Sequence, residues 1–404
     1  MAVGLKEPEK LLAVRGIKAA AMVAGIKKKP ARDLVLFELA PGSQCAAVFT
    51  RNVFCAAPVS VAKKNLSQAS TRYLLINSGN ANAGTGEQGM RDALQTCQWV
   101  ADAAGCSGAE VLPFSTGVIG ENMPMAKFEQ AIPQLLASLD EDGWLEAGRG
   151  IMTTDTLLKG ISRQIDINGT TVTITGVAKG SGMIRPDMAT MLAFIATDAA
   201  IAPELLDACL KTAVNLSFNA ITVDGDTSTN DACVLMASGQ SGADEIKAAG
   251  KHFDLLQAAI NEVCIFLAQA VIRDGEGATK YITLDVINAP SAQDARQVAY
   301  TVAHSPLVKT ALFASDPNWG RILAAVGRSG VNFNIDEIEI YLGNVCIVSA
   351  GGRAASYTEA QGQAVMSQDE ITIRIDLKNG DSAATVWTSD LSYDYVKINA
   401  EYRS

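Results

Sequence analysis

The pattern of apolar and polar positions predicts a chain that alternates strands with helices. Met191 to Ala196 is apolar at every position, which is typical of a strand buried on both faces inside a sheet. Residues 164–175 alternate apolar and polar side chains around Asn168-Gly169, a dipeptide that favours a hairpin turn. Further strands are predicted at 34–39, 46–49, 73–76, 111–114, 337–342 and 345–349, with a second hairpin over 371–390. Helices are predicted at 87–104, 124–139, 204–218 and 253–272, and at 295–313 with a Ser-Pro break.

Composition narrows the class of protein. The chain has 404 residues, of which 48% are apolar and 19% charged, so a large core is available. A net charge of −10 argues against a nucleic-acid partner, which needs a basic surface. No uninterrupted apolar run approaches the roughly 20 residues of a membrane helix, and the first ten residues lack the apolar segment of a signal peptide. We therefore expect no membrane partner and a cytoplasmic location.

Cysteine and histidine usage restricts the chemistry. Eight scattered cysteines contain no Cys-x-x-Cys motif, and there are two histidines, so we expect neither a disulfide framework nor a zinc cluster. Residues 222–231, TVDGDTSTND, carry three aspartates but lack the glycine and glutamate placement of a calcium loop. We expect no metal, and a nucleophile here would need a base other than histidine.

One threonine has a position suited to nucleophilic chemistry. Thr190 precedes the apolar run and follows a loop rich in glycine, which begins at Lys179. If the Ala189–Thr190 bond were cut, the new α-amine would be a base beside the hydroxyl, with a pKa of about 7.7–8.0. The alternative is that Thr190 is an ordinary β-branched strand residue.

Other polar segments each allow two interpretations. Thr116-Gly117 follows a predicted strand and suits either an oxyanion hole, where each donor is worth about 3 kcal/mol, or a plain turn. Thr153 to Thr156, after a glycine-rich break at 148–150, is either a site lining or a capping cluster. Glu276 lies between two glycines and either receives an ammonium group or belongs to a solvated turn. Residues 77–89, with four glycines, form either an anion-binding loop or a tight turn before a helix.

Seven segments together resemble one family in both content and order. The chain resembles the ornithine acetyltransferases, the glutamate N-acetyltransferases of arginine biosynthesis, from about Gly16 to Ser404. The matching segments are STGVIGE, TTDT, KGSGMIRPDMATMLAF, TVDGDTSTND, RDGEGATK, SDPNWGR and the terminal INAEY.

The resemblance implies a self-processed enzyme. The cut would fall between Ala189 and Thr190, giving an α chain of 1–189 and a β chain of 190–404 that assemble as an α2β2 heterotetramer. The implied fold is of the α/β (α+β) class, with layered sheets and helices similar to self-processing N-terminal-nucleophile enzymes. We expect a catalytic core over 1–285 and a smaller C-terminal α/β domain over 286–404, where the texture of the sequence changes.

The resemblance also implies the site and the reaction. Thr190 would be the nucleophile, and Thr116 and Gly117 the oxyanion hole. The substrate-binding positions would be Thr153, Lys179, Thr190, Glu276, Asn399 and Ser404, where many relatives carry threonine. The acetyl group would pass from N2-acetyl-ornithine to Thr190 and then to glutamate, in ping-pong order, without a cofactor and with acetyl-CoA as a possible second donor.

Two other functions remain open at this stage. An aminopeptidase or amidase would keep Thr190 as nucleophile but use water as the acceptor. A non-catalytic anion- or nucleotide-binding protein would instead be organised around residues 77–89.

Overall fold

The apolar runs of the sequence form strands and helices in this computed structural model, which describes residues 2–28, 30–185 and 191–401. The strands are β1 (Ile17–Met22), β2 (Leu34–Leu39), β3 (Gln44–Phe49), β4 (Tyr73–Asn80), β5 (Val111–Val118), β6 (Lys159–Ile167), β7 (Thr170–Lys179), β8 (Leu192–Thr197), β9 (Ile221–Thr222), β10 (Ala232–Ala237), β11 (Tyr281–Ala289), β12 (Glu339–Leu342), β13 (Val345–Ser349), β14 (Gly352–Arg353), β15 (Glu370–Asp376) and β16 (Ser382–Ser389). The helices are α1 (Ala57–Gln68), α2 (Gly86–Ala104), α3 (Met125–Ala137), α4 (Trp144–Ile151), α5 (Pro203–Leu216), α6 (Lys251–Arg273), α7 (Ala292–Ala303), α8 (Pro306–Phe313), α9 (Trp319–Gly327), α10 (Glu359–Met366) and α11 (Tyr393–Ala400).

The chain divides into two units. The larger unit comprises Glu7–Asn219 and Asp226–Val271, and the smaller unit comprises Met1–Lys6, Ala220–Gly225 and Ile272–Ser404. The predicted boundary between residues 285 and 286 falls inside β11, so the division lies earlier in the chain than the change in sequence texture indicated. The short strand β9 also belongs to the smaller unit because it pairs with β16.

The larger unit stacks two sheets face to face. One sheet has the order β1-β2-β4-β5 and the other β3-β10-β8-β7-β6. Phe37 of the first sheet stacks on Phe194 of the second, with ring centroids 5.5 Å apart, and Trp144 of α4 lies against Phe37. Helices α2 and α3 cover the first sheet, while α5 and α6 pack on the second. This confirms the predicted layering of helices and sheets.

β8 is the central strand that the sequence predicted. Every residue of β8 is buried, and the strand pairs with β10 in parallel and with β7 in antiparallel orientation. The predicted hairpin is confirmed as β6–β7, because Asn168 and Gly169 adopt φ angles of 52° and 81° at its turn. The turn residues tolerate these positive angles, which suit the twist of the paired strands.

Two glycines predicted to break the chain lie inside a helix. Gly148 and Gly150 belong to α4, so the expected break at 148–150 was wrong. A Cβ on Gly150 would lie 2.3 Å from a methyl group of Val35, and one on Gly148 would lie 2.9 Å from Leu158. Both glycines therefore serve the close packing of α4 rather than a turn.

The longest helix, α6, bears on the expectation that the chain has no segment able to span a membrane. By length and composition α6 could cross a membrane, although 56% of its most apolar 18-residue stretch is buried inside the protein. Its side chains Val263 and Leu267 lie close to Gly176 of β7, as in a core helix. The helix itself was predicted at 253–272, but it contains no long uninterrupted apolar run because polar residues such as Gln257 and Asn261 interrupt it.

The smaller unit contains a seven-stranded sheet of order β14-β13-β12-β15-β11-β16-β9. Helices α7, α8 and α9 pack their apolar side chains on it, for example Val302, Leu312 and Ile322. The predicted hairpin over 371–390 was wrong. Both of its strands exist, but β11 lies between them, parallel to β15 and antiparallel to β16. A local turn signal in the sequence cannot exclude such an insertion from a distant segment.

Candidate active site

The predicted Thr116-Gly117 pair lies at the carboxyl end of β5. This strand runs parallel to β4, with Thr116 opposite Ser78 and Gly117 opposite Gly79. Gly117 has a φ of 134°, and a Cβ there would lie 2.3 Å from the carbonyl carbon of Gly79. Only glycine fits this backbone approach. Thr116 is partly exposed, so the residue is not sealed in the core.

Asparagine side chains hold this strand end together. The amide of Asn77 donates to the carbonyl of Asn80 at 2.8 Å, and its oxygen accepts from the Ser115 hydroxyl at 2.6 Å. Asn230 donates to the carbonyls of Ala81 at 2.6 Å and Ser115 at 2.9 Å. The Asn77 side chain and the carbonyls of Asn80 and Ala81 are thus engaged within the protein.

A buried aspartate connects two further predicted site residues. Asp155 accepts from the Thr153 backbone N–H at 2.9 Å and from the Gly180 backbone N–H at 2.7 Å. Its carboxylate also pairs with Lys159 at 2.6 Å, and both side chains are fully buried. Asp155 therefore fixes the Thr153 segment against the end of β7, where Lys179 lies next to Gly180.

The electrostatics of this cluster depend on its lysines. Burial acts to raise the pKa of Asp155, but Lys159 and Lys179 outweigh it and hold the pKa well below its ordinary value. Burial lowers the pKa of the Lys27 ammonium, while Asp33 and Asp155 act in the opposite direction. Lys179 itself is 8% exposed. Lys159 and Lys179 thus keep the Asp155 carboxylate ionised near the end of β7.

The start of β8 lies between β7 and β10. Leu192 pairs with Lys179 of β7 on one side and with Ala232 of β10 on the other. The N–H of Ala232 donates to the carbonyl of Met191 at 2.9 Å. Asp231, the residue before Ala232, is 2% exposed, and its Oδ2 has no hydrogen-bond partner. Burial raises the pKa of Asp231 well above its ordinary value, although Ser228 and Lys179 act to lower it.

Hydrogen bonds therefore link the predicted residues of the larger unit into one region. Asp155 joins Thr153 to the end of β7, strand pairing joins Lys179 to the start of β8, and Asn230 joins the neighbouring loop to the strand that carries Thr116. Ala189 and Thr190 lie outside the described residues, although Met191, which follows them, is part of this region.

In the smaller unit, Glu276 and Asn399 are brought together. The Asn399 amide donates to Glu276 Oε2 at 2.8 Å, across 123 positions of sequence. Glu276 is 8% exposed, so it does not belong to a solvated turn. Its neighbour Gly277 has a φ of 68°, and a Cβ there would lie 2.4 Å from the Tyr395 nitrogen. The Ser392 hydroxyl donates to the Gly277 carbonyl at 2.6 Å, which clamps the loop to α11. The remaining predicted residue, Ser404, lies outside the described residues.

Sequence reasoning missed three members of these clusters. Lys159 was not singled out, although it pairs with Asp155 only four residues earlier. Asn230 lies in the polar segment 222–231, but its role depends on carbonyls more than a hundred residues away. Asp231 was noted as one of three aspartates in a polar loop, but its burial beside β8 is visible only in the fold. Within the described ranges, no three His, Cys, Asp or Glu side chains lie close enough to hold a metal ion.

Known proteins resemble the chain along its whole length. The model of the ArgJ family matches residues 18–404. The arginine biosynthesis bifunctional protein ArgJ of Pseudomonas fluorescens is 55% identical over 406 residues, covering 100% of both chains. The protein of the same name from Methylococcus capsulatus is 55% identical over 396 residues, covering 98% of this chain and 97% of the relative.

Solved structures include members of the same group. The crystal structure of the argJ bifunctional protein from Bacillus halodurans is 39% identical, with a TM-score of 0.50, and covers 52% of this chain and 98% of that chain. The ornithine acetyltransferase of Mycobacterium tuberculosis, solved with ornithine, is 35% identical, with a TM-score of 0.39, and covers 44% of this chain and 94% of that chain. The whole-length matches assign the family. The chain belongs to the ArgJ family of arginine biosynthesis proteins.

Proposed function

We propose that the chain cuts itself between Ala189 and Thr190 and that Thr190 then carries the acetyl group from N2-acetyl-ornithine to glutamate. The observation that carries this proposal is the position of Met191. Its carbonyl accepts from the N–H of Ala232 on one side, and the next residue, Leu192, pairs with Lys179 on the other side. The loop that precedes Ala232 is bonded to the strand of Thr116. A nucleophile preceding Met191 would thus be joined directly to the region that holds the other predicted groups of the larger unit.

Each group has a defined part in the proposed reaction. The neutral α-amine of Thr190 takes the hydroxyl proton, and Oγ attacks the acetyl carbonyl. Thr116 and the Gly117 N–H stabilise the oxyanion, at about 3 kcal/mol for each well-placed donor. Ornithine leaves, and the amine of glutamate attacks the acetyl-threonine ester to give N-acetyl-glutamate. The proposal needs no metal and no cofactor.

The enzyme must accept two amino acids of different side-chain charge. Both substrates carry an α-carboxylate, and we assign its attraction to Lys179. Acetyl-ornithine alone offers a side-chain ammonium, which we assign to Glu276, with Asn399 holding the Glu276 carboxylate. Thr153 and Ser404 complete the proposed substrate-binding set.

The sheet of the larger unit supports a lasting association of the two cut chains. The proposed cut leaves β3, β6 and β7 in the first chain and β8 and β10 in the second. In the sheet order β3-β10-β8-β7-β6, the two strands of the second chain lie between strands of the first. Separation would break two rows of strand hydrogen bonds and expose strands buried on both faces, so we propose that the chains stay together, in an α2β2 assembly.

The name of the relatives supports a second activity. The proteins from Pseudomonas fluorescens and Methylococcus capsulatus are called bifunctional. We propose that this chain also acetylates glutamate from acetyl-CoA through the same acetyl-Thr190 ester, in the cytoplasm. Formation of N-acetyl-glutamate from acetyl-CoA and glutamate without ornithine tests this directly.

Substitution of the nucleophile tests the main proposal. Thr190→Ala removes the hydroxyl and should give one uncut chain of 42.4 kDa without transferase activity. Thr190→Ser keeps a hydroxyl and should retain cleavage and part of the activity. A cut Thr190→Ala chain, or one that still transfers acetyl groups, would contradict the proposal. Release of acetate from acetyl-ornithine without glutamate, at the rate of transfer, would instead indicate a hydrolase.

A further inference from the structure

The loop that carries Glu276 ends where β11 begins, at Tyr281. Near the middle of this loop, the Gly277 carbonyl accepts from the Ser392 hydroxyl at 2.6 Å. A binding group is held in place only when the residues that support it are fixed as well. The position of the Glu276 carboxylate therefore also depends on how the loop is held at its junction with β11.

Asp390 fixes this junction through both of its carboxylate oxygens. Oδ1 accepts from the backbone N–H groups of Thr279 at 2.8 Å and Lys280 at 3.0 Å, and Oδ2 accepts from the Thr279 hydroxyl at 2.6 Å. Asp390 directly follows β16, whose last residue, Ser389, pairs with Tyr281. The carboxylate is thus attached to one strand of the sheet and holds the residues that lead into the neighbouring strand.

A buried lysine lies close to this carboxylate. Asp390 and Lys309 of α8 are both buried. The Lys309 ammonium donates to the Thr388 hydroxyl at 3.1 Å and to the carbonyl of Ser389, the residue before Asp390. Burial lowers the pKa of Lys309 to about 8, while the charges of Asp390 and Asp224 act to raise it. Because a buried charge is costly without an opposite charge nearby, Lys309 supports the Asp390 carboxylate at the junction.

We propose that Asp390 is a positioning residue that sets the Glu276 carboxylate for the side-chain ammonium of ornithine and N2-acetyl-ornithine. It acts through the loop rather than on the substrate, because it fixes Thr279 and Lys280 at the start of β11. This inference rests on the proposed function, which assigns the ammonium to Glu276. It adds a determinant of substrate choice outside the predicted set of site residues.

The proposed role states which half of the reaction depends on Asp390. Ornithine and N2-acetyl-ornithine carry a side-chain ammonium, whereas glutamate and N-acetyl-glutamate do not. In a ping-pong reaction, each amino acid exchanges acetyl groups with its own acetylated form through the acetyl-enzyme, without the other pair. Displacement of the Glu276 carboxylate should therefore slow ornithine exchange and leave glutamate exchange unchanged.

The two exchange reactions of the intact enzyme test this role. Labelled ornithine is incubated with N2-acetyl-ornithine, or labelled glutamate with N-acetyl-glutamate, and the label in the acetylated compound is followed. Asp390→Ala removes the acceptor of all three hydrogen bonds. It should slow ornithine exchange at low substrate concentration by roughly 10- to 100-fold, the effect of misplacing a binding group, with glutamate exchange at the wild-type rate. Asp390→Asn keeps an oxygen for the two N–H groups and should recover part of the ornithine rate.

Asp376 provides a matched control near the other end of β11. It is also buried, and its Oδ1 accepts from the Asn288 side chain at 2.8 Å and from the Lys378 N–H at 3.0 Å. It pairs with Ile287, six residues beyond the start of β11. Asp376→Ala should leave both exchange rates unchanged. Equal slowing of ornithine exchange in Asp376→Ala and Asp390→Ala would assign the effect to general loosening of the sheet and overturn the inference.

A smaller change keeps the inference testable if Asp390→Ala does not fold. Thr279→Val removes only the hydroxyl contact and should slow ornithine exchange selectively, whereas Thr279→Ser keeps the hydroxyl and should not. Equal slowing of the two exchanges, or slowing of neither, in the folded variant would overturn the positioning role. Failure of the wild-type enzyme to catalyse either exchange, or ornithine exchange that Glu276→Gln leaves unchanged, would instead contradict the proposed function.

Discussion

Lys179 in the larger unit and Glu276 in the smaller unit are equally buried, each 8% exposed, but their surroundings differ. Lys179 ends a strand and lies among charges, with Asp155 held by Lys159 close by. Glu276 lies in a loop and accepts from the neutral amide of Asn399. Neighbouring charges therefore hold Lys179 in place, whereas a loop fixed to α11 holds Glu276. We expect substitutions in the two regions to affect stability and substrate binding differently.

The largest effect is expected where the charged framework is broken. Asp155→Asn removes the carboxylate charge that pairs with the buried Lys159 ammonium, and breaking a buried pair typically costs about 3–5 kcal/mol of unfolding free energy. Asp207→Asn is the matched control, because Asp207 pairs with Lys211 at the same 2.6 Å and the same spacing, but with both side chains about half exposed. That exposed pair should be worth about 0–1 kcal/mol. Denaturant unfolding measures both, and equal losses would contradict the account.

The lowered pKa of Asp155 predicts that the free energy of unfolding decreases in acid. Because the folded-state pKa of Asp155 lies below its unfolded value, Asp155 makes its whole contribution to stability at pH values above the ordinary pKa of a carboxyl group. It should be lost as pH falls from that range toward the lowered folded-state pKa. In Asp155→Asn this part of the stability curve should be flattened relative to the wild-type protein.

The clamped loop should be sensitive to an added methyl group. Gly277→Ala puts a Cβ at a φ of 68° and 2.4 Å from the Tyr395 nitrogen, so the loop or α11 must move. Gly343→Ala is the control, because Gly343 has a φ of 55° but no atom nearer than 3.8 Å. The control should lose about 1–2 kcal/mol from backbone strain alone. Gly277→Ala should lose more and should also raise KM for acetyl-ornithine, and equal melting temperatures would contradict this.

Removal of the Lys179 side chain should weaken the binding of both substrates equally. Lys179→Ala deletes the proposed partner of the shared α-carboxylate, so KM should rise by roughly 10- to 100-fold for acetyl-ornithine and for glutamate. Because this binding is the same in the ground and transition states, kcat should stay constant. An unaltered KM for both substrates would rule out the proposed role of Lys179.

Removal of the Glu276 charge should act on one substrate. Glu276→Gln keeps the shape and a hydrogen-bonding oxygen for Asn399, but loses the attraction for the ornithine ammonium. KM for acetyl-ornithine should rise by roughly 10-fold, while KM for glutamate stays constant or falls. Steady-state kinetics with each substrate varied in turn measure this. An equal rise for both would remove the distinction between the two regions.

Local features of the fold could be predicted from the sequence, whereas contacts between distant segments could not. The β6–β7 hairpin follows from Asn168-Gly169 because the signal and its effect are both local. The sequence wrongly predicted that β15 and β16 pair with each other. β11, which lies nearly a hundred residues earlier in the chain, inserts between them in the sheet. Individual site residues were indicated by their motifs. Their partners were not, since the Glu276–Asn399 contact and the burial of Asp231 are created by folding.

The mass of the freshly purified, denatured wild-type protein shows whether the chain is cut before Thr190. We expect two fragments, with masses equal to those of residues 1–189 and 190–404. Such a result would give Thr190 a free α-amine and make it available as the nucleophile. A single chain of 42.4 kDa that nevertheless transfers acetyl groups would contradict the proposed role of Thr190.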